Sequence, residues 1–165
     1  AGIFRKLATT PMTPFEWLVA RMIWYLFISL MTLTVVLVFG ILVFGMSMTL
    51  NAPALLLVIS GSAMFSALGM IIARFVKNEE TASAAANAIT FPMMFLSGTF
   101  FQMEMMPDYL QSVAAVLPLT YLSQGLRDAM VYDNLEGAYL NLLVVAVIAV
   151  IFVAVAVLVT KWEED

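Results

Sequence analysis

The chain contains no cysteine and no histidine among its 165 residues. Without cysteine there is no disulfide framework, no thiolate nucleophile and no cysteine-based zinc site. Without histidine the usual proton shuttle and the commonest metal ligand are missing. A haem–histidine site, a histidine-ligated zinc and a Ser-His-Asp triad are therefore excluded within this chain. Charge is scarce as well: 7 Lys+Arg and 11 Asp+Glu make 11% of the residues, against 64% hydrophobic. A soluble domain averages about 25% charged residues and about 45–50% apolar ones. A fold of this size leaves too much of its surface wet to hide that apolar excess in water. The formal net charge of −4 argues against nucleic acid as a partner. The lysines Lys6, Lys77 and Lys161 are not preceded by a Gly-rich phosphate loop, so this chain has no such ATP site of its own.

What is present is long uncharged sequence. From Met22 to Ala73 there is no Asp, Glu, Lys or Arg, a run far beyond the roughly 20 residues that cross a bilayer once. Spans are expected at 22–46, 54–73, 81–103 and 137–160, separated by the Asn51-Ala52-Pro53 breaker, by the wet cluster 74–80 and by the charged segment 104–136. The fold class expected is an all-α integral membrane protein with four transmembrane helices, an amphipathic N-terminal helix and an external re-entrant helix pair. As one transmembrane domain over 1–165, this divides into a cytoplasmic segment at 1–13, membrane helices at 14–46, 54–73, 81–103 and 137–161, and an external helical hairpin at 104–136.

Ile3, Phe4 and Leu7 fall on one helical face beside Arg5 and Lys6, the pattern of a short helix lying at a membrane surface. The 9–12 segment breaks that helix, and Thr13, Pro14 and Glu16 form a capping-box start for the next one, with Met12 and Trp17 as a hydrophobic staple. In 104–136 the apolar pieces are about ten residues each, too short to span. Asp108 with Gln111 is expected to cap the first piece, and Thr120 after Pro118 to cap the second. Six basic residues (Arg5, Lys6, Arg21, Arg74, Lys77, Lys161) fall on one side of this layout and only Arg127 on the other. The positive-inside rule puts both ends in the cytoplasm of a multi-pass cell-membrane protein. The opening Ala1-Gly2-Ile3 is read as part of a longer polypeptide.

Small residues crowd the second and third spans (Gly61, Ser62, Ala63, Ser66 and Ala67, then Ala82 to Ala86), which favours close helix approach. No acidic or basic residue falls inside the four expected spans, so an ion- or proton-coupled carrier is poorly supported. Asn87 is the strongest polar candidate there, with a helix–helix hydrogen bond as its expected role. Phe91, Met94, Phe95 and their neighbours at the outer end of the third span form a flexible, polarisable surface suited either to lipid or to bulky amphipathic substrates.

The run from Phe91 through Ser97-Gly98 to Phe101, followed by Met106-Pro107, Leu117-Pro118-Leu119-Thr120-Tyr121 and Leu126-Arg127, resembles the permease subunits of ABC-2 type exporters. The opening Gly2-Ile3-Phe4-Arg5-Lys6-Leu7 and Thr10-Pro11-Met12-Thr13-Pro14 look like the cytoplasmic segment before that family's third span. The resemblance covers the whole chain and implies the C-terminal two-thirds of a six-span permease. On it, Ile3, Phe4, Arg5, Lys6 and Leu7 would couple to a separate ABC ATPase that carries ATP and Mg, this chain binding no cofactor and catalysing nothing itself. Phe91, Met94, Phe95, Ser97, Gly98, Leu117, Pro118 and Tyr121 would lie along a substrate path or exit gate. Two permease copies, as a homodimer or heterodimer, would move amphipathic, hydrophobic or polymeric cargo outward. A non-transporting helical membrane scaffold or assembly factor is the alternative that the apolar spans also suit.

Overall fold

A computed structural model of the chain describes residues 14–45, 50–76, 78–100 and 103–159. The expected coupling segment, its Thr13 cap and its staple lie outside the described residues. Within them the structure is helical: α1 (Pro14–Phe44), α2 (Ala52–Phe75), α3 (Glu79–Leu96), a 3-10 turn (Met103–Met105), α4 (Asp108–Ala114), α5 (Pro118–Met130) and α6 (Leu135–Val159). Three of these helices, α1 over Val19–Phe44, α2 and α6, are long and apolar enough to cross a membrane. That stretch of α1 includes Arg21, so a cation falls within a span that the sequence reading began one residue later.

Helix starts follow local chemistry. Pro14 opens α1, with Glu16 in its first turn, where a negative charge meets the positive end of the helix dipole. Asn51 caps α2 by accepting from the Ala54 amide at 3.1 Å, with Pro53 in the first turn, where its missing N–H costs nothing. The Asn51 side chain also donates to the Ala129 carbonyl, tying the start of α2 to the end of α5. Two expected caps are corrected. Pro107, not Asp108, is the N-cap of α4, and Asp108 is the first helical residue. Gln111 turns back instead, its Nε2 donating to the Met106 carbonyl at 2.8 Å. Thr120 lies inside α5, whose N-cap is Leu117, and its hydroxyl donates to the Ala114 carbonyl at 2.7 Å. It thus joins α4 to α5 rather than capping either.

The third expected span is also divided. Helix α3 stops at Leu96, and the backbone turns at Ser97-Gly98, where Gly98 has φ +76°. Only glycine adopts that left-handed conformation without strain. Pro92 lies inside α3, where it removes one helical hydrogen bond. Asn87 is exposed and has no hydrogen-bond partner among the described residues, so the expected helix–helix bond is not formed.

The core lies between α2 and α6, which run parallel. Ala54, Leu57 and Met64 pack with Ala138, Val145 and Ala149 near one end, and Ala67 and Met70 with Ala156 near the other. Met22 packs against that second cluster, so α1 runs antiparallel to α2. Lipid tails are as apolar as leucine, so burial from water does not drive such contacts; close van der Waals packing does, and small residues permit it. α5 wedges against both helices through Gly125, where an added Cβ would lie 2.9 Å from Asn141 Cβ and 3.0 Å from Leu57 Cδ1. Most of the long apolar side chains of α1 and α6 face outward, Leu42 at 78% and Val150 at 69% exposure among them.

Replacing Gly125 with Ala is expected to destabilise the bundle by about 1–3 kcal/mol through overpacking. Gly69, whose Cβ position is open, should accept Ala with a gain of up to about 1 kcal/mol in helix propensity. Thermal melts of the two variants in detergent, compared with wild type, check both signs.

Candidate functional site

The helix α3 ends with carbonyl groups that no further helical turn can satisfy. In a low-dielectric setting such groups are costly unless they are paired. The partner is the polar stripe of α5: Thr120, Ser123, Gln124 and Arg127, spaced by three and four, share one face of that helix. Ser123 Oγ donates to the Ser97 carbonyl at 2.9 Å and also lies 3.0 Å from the Thr120 carbonyl. Arg127 Nη2 donates to the Gly98 carbonyl and reaches the Thr99 carbonyl at 3.4 Å. A cation at the C-terminal end of a helix also complements its dipole. Gln124 Nε2 contacts Met103 Sδ at 2.9 Å, which extends the same clamp to the 3-10 turn.

Ser97 is fully buried, and its hydroxyl lies 2.9 Å from Thr99 Oγ1. It is engaged with its own turn, and among the described residues no base is hydrogen-bonded to it. No cluster of potential metal ligands occurs among the described residues. The arrangement is a mechanical joint: a glycine-hinged turn held by one helix face.

The structure brings some of the expected gate residues together and leaves others apart. Ser97 and Gly98 are buried in the joint. Leu117 and Pro118 form the start of α5, and Tyr121 donates from its hydroxyl to the Ala115 carbonyl at 2.7 Å, closing the α4–α5 bend. Phe91 and Phe95 instead stand outward, at 61% and 37% exposure. With Phe100 they make a ladder whose ring centroids are 5.1 and 5.0 Å apart. Met94 is part-buried, and Met93 beside it is the buried one. Ser123, Gln124 and Arg127 were not among the expected site residues, although their helical spacing was visible as a polar stripe in the sequence.

A second hydrogen-bonded corner joins α5 to α6. Asn141 Nδ2 donates to Asp128 Oδ2 at 3.2 Å and to the Gly137 carbonyl at 3.0 Å, while the Asn134 amide donates to the Asp128 carbonyl at 2.8 Å. An added Cβ at Gly137 would lie 2.6 Å from both Asp128 Oδ2 and Asn134 Nδ2, so these side-chain ends would have to shift to admit it.

Arg127→Met should strand the Gly98 and Thr99 carbonyls and lower stability by about 1.5–3 kcal/mol, the range for hydrogen bonds to a charged group. Arg127→Lys should recover only part of this, because an ammonium lacks the planar fork. Hydrogen exchange across 97–100 checks this: faster exchange in Arg127→Met than in Arg127→Lys is the expected order.

Over residues 2–158 the chain matches the family model described as ABC-2 family transporter protein. It is 27% identical over 168 aligned positions to the probable multidrug ABC transporter permease YbhS of Escherichia coli K12, an alignment covering 99% of this chain and 44% of that protein. It is 27% identical over 118 positions to the putative transport permease YvfS of Bacillus subtilis 168, covering 70% of this chain and 48% of the relative. Nodulation protein J of Rhizobium leguminosarum bv. viciae is 26% identical over 87 positions, 53% of this chain and 34% of its own length. The chain thus spans less than half the length of the curated relatives it matches. No solved structure matches it. The apolar helices, the small-residue packing between them and the family match over nearly the whole length agree: the chain belongs to the ABC-2 family of transporter proteins.

Proposed function

We propose that this chain is the membrane-embedded part of an exporter that moves amphipathic or hydrophobic substrate outward, with energy supplied by a separate ABC ATPase. The single observation that carries the reading is the family match over 2–158. The description of one relative as a multidrug permease supports the substrate class. The scarcity of charge in the spans supports an external source of energy. The working unit pairs two permease copies with two ATPases.

In this reading α1, α2, α3 and α6 are the four spans, and α4 with α5 is a hairpin dipping into the outer leaflet. The six-to-one distribution of basic residues supports cytoplasmic ends. Ile3, Phe4, Arg5, Lys6 and Leu7 seat on the ATPase. Closure of the ATPase dimer shifts the spans, and the motion is delivered at the far end to the turn at Ser97-Gly98, where α5 holds α3. Leu117, Pro118 and Tyr121 brace the hairpin there, and Phe91, Met94 and Phe95 supply the apolar wall that substrate passes. Rearrangement of the Ser123 and Arg127 clamp is then the outer gate.

The test is co-purification of the full-length protein with candidate ATPases, followed by ATP hydrolysis and export across a substrate panel. Phe4→Asp with Leu7→Asp should drop substrate-stimulated hydrolysis to the basal rate and abolish export, while the permease remains in the membrane. Unchanged stimulation and export would sink the coupling assignment.

A further inference from the structure

Arg127 is the one basic residue between positions 78 and 160, and its neighbours fix its depth in the bundle. α5 runs back along α2: its Ala129 carbonyl accepts from Asn51 just before α2 begins, Gly125 lies against Leu57, and Leu122 against Gly61. Ser123, beside Leu122, holds the Ser97 carbonyl. The turn at Ser97-Gly98 thus stands near the level of Gly61, nine residues or about 14 Å from the start of α2 at Ala52. Helix lengths agree. α2 and α3 are joined through 76–78, and α2 has 24 residues against 18 in α3, which stops α3 about 9 Å short of the other end of α2. At about 36 Å, α2 exceeds a hydrocarbon core of about 30 Å by only a few residues. The turn therefore falls inside the apolar layer, and with it the guanidinium that is bonded to the Gly98 carbonyl.

A charge at that depth is costly unless it is paired or hydrated. A guanidinium has donors on three nitrogens, and here Nη2 alone makes bonds, to the Gly98 and Thr99 carbonyls. Nε and Nη1 have no partner among the described residues. Among those residues no buried side-chain nitrogen or oxygen lacks a partner, so Nε and Nη1 lie at the surface of the chain. The two sides of the guanidinium therefore differ. On one, Ser97 and Gly98 are buried; on the other, Thr99 and Phe100 are exposed. Lipid tails cannot satisfy the outward donors, and water can.

We propose that a water-filled vestibule opens from the membrane face where α2 and α6 begin and descends roughly 10 Å to the outward edge of Arg127, with Thr99 on its wall. Arg127 then separates a dry joint from water. Its Nη2 holds the Gly98 and Thr99 carbonyls, while Nε and Nη1 face the vestibule. Assignment of that membrane face to the outside rests on the orientation proposed above; the vestibule itself does not.

Residues 1–165 contain no cysteine, so a single thiol introduced here labels without background from this segment. In full-length protein in sealed vesicles, Thr99→Cys is treated with membrane-impermeant methanethiosulfonates that carry a sulfonate or a trimethylammonium group, added on one side or the other. Leu143→Cys is the control. Leu143 is 63% exposed on α6, two residues beyond the Asn141 that bonds Asp128, and so meets lipid at a similar depth. Melting curves confirm that each variant is folded, and labelling after denaturation that each thiol is present. The thiolate is the reactive form, and apolar surroundings suppress it. Thr99→Cys should label from one side and Leu143→Cys from neither. Relative to a free thiol, the sulfonate reagent should be favoured at Thr99→Cys by about tenfold through the nearby cation. Adding Arg127→Gln should remove that preference, and adding Arg127→Lys should keep it. Labelling from the cytoplasmic side supports the vestibule and overturns only the orientation. Failure of Thr99→Cys to react from either side, equal labelling of Thr99→Cys and Leu143→Cys, or a reagent preference that Arg127→Gln leaves unchanged overturns the vestibule.

Discussion

The close contact between α2 and α6 is the interaction on which the rest of the structure rests. Among the described residues these two helices share the most extensive packing and enclose the main core. In a bilayer there is little to gain from moving a leucine away from lipid, so helices associate where backbones approach closely enough for dense packing. Ala54, Ala67, Ala138, Ala149 and Ala156 provide that approach, with Leu57, Met64 and Val145 filling the space between them. α5 then seats in the groove that this pair creates, and Gly61 and Gly125 make room for it beside Leu122 and Leu57. Without the α2–α6 pair, α5 would have no surface against which to present its polar face.

That polar face solves the second problem of the fold. A helix that stops short in an apolar medium exposes carbonyls that water cannot reach. The end of α3 leaves carbonyls of this kind, and Ser123 and Arg127 donate to them. The same hydrogen bonds hold a turn at which the left-handed Gly98 lets the backbone leave the axis of α3. α1 is attached differently. None of its described side chains is buried, and against α2 it leaves a cleft rather than a seam. The molecule therefore combines a tightly packed pair, a hydrogen-bonded joint at one end and a loosely closed cleft toward the other.

Much of this was legible in the residues. Uncharged runs of bilayer length placed α1, α2 and α6. Pro14 with Glu16 marked a helix start that is observed where it was expected, because such starts depend on the nearest backbone groups alone, whereas Asn51-Ala52-Pro53 was read only as a breaker and proves to be the cap and first turn of α2. Asp108 and Thr120 were misread as caps. Each has a suitable side chain, but Pro107 already occupies the α4 cap position, and Thr120 finds a better acceptor in Ala114 across the bend. The third span was read to 103 because Phe100 and Phe101 extend its apolar run. The backbone instead breaks at Gly98, where a partner on another helix receives the freed carbonyls. Asn87 was read as a helix–helix bond on polarity alone, and among the described residues no neighbouring helix hydrogen-bonds to it.

Composition and periodicity determined that this is a helical membrane protein, because in lipid each backbone group must be satisfied locally, and hydrogen bonds four residues apart do that with no information from elsewhere in the chain. Tertiary structure alone decided which helices pair, where α3 ends, and which polar groups face each other. Those outcomes depend on residues 26 to 78 positions apart, such as Ser123 with Ser97 and Asn51 with Ala129. The free energy of such contacts comes from shape and geometry that no local pattern encodes.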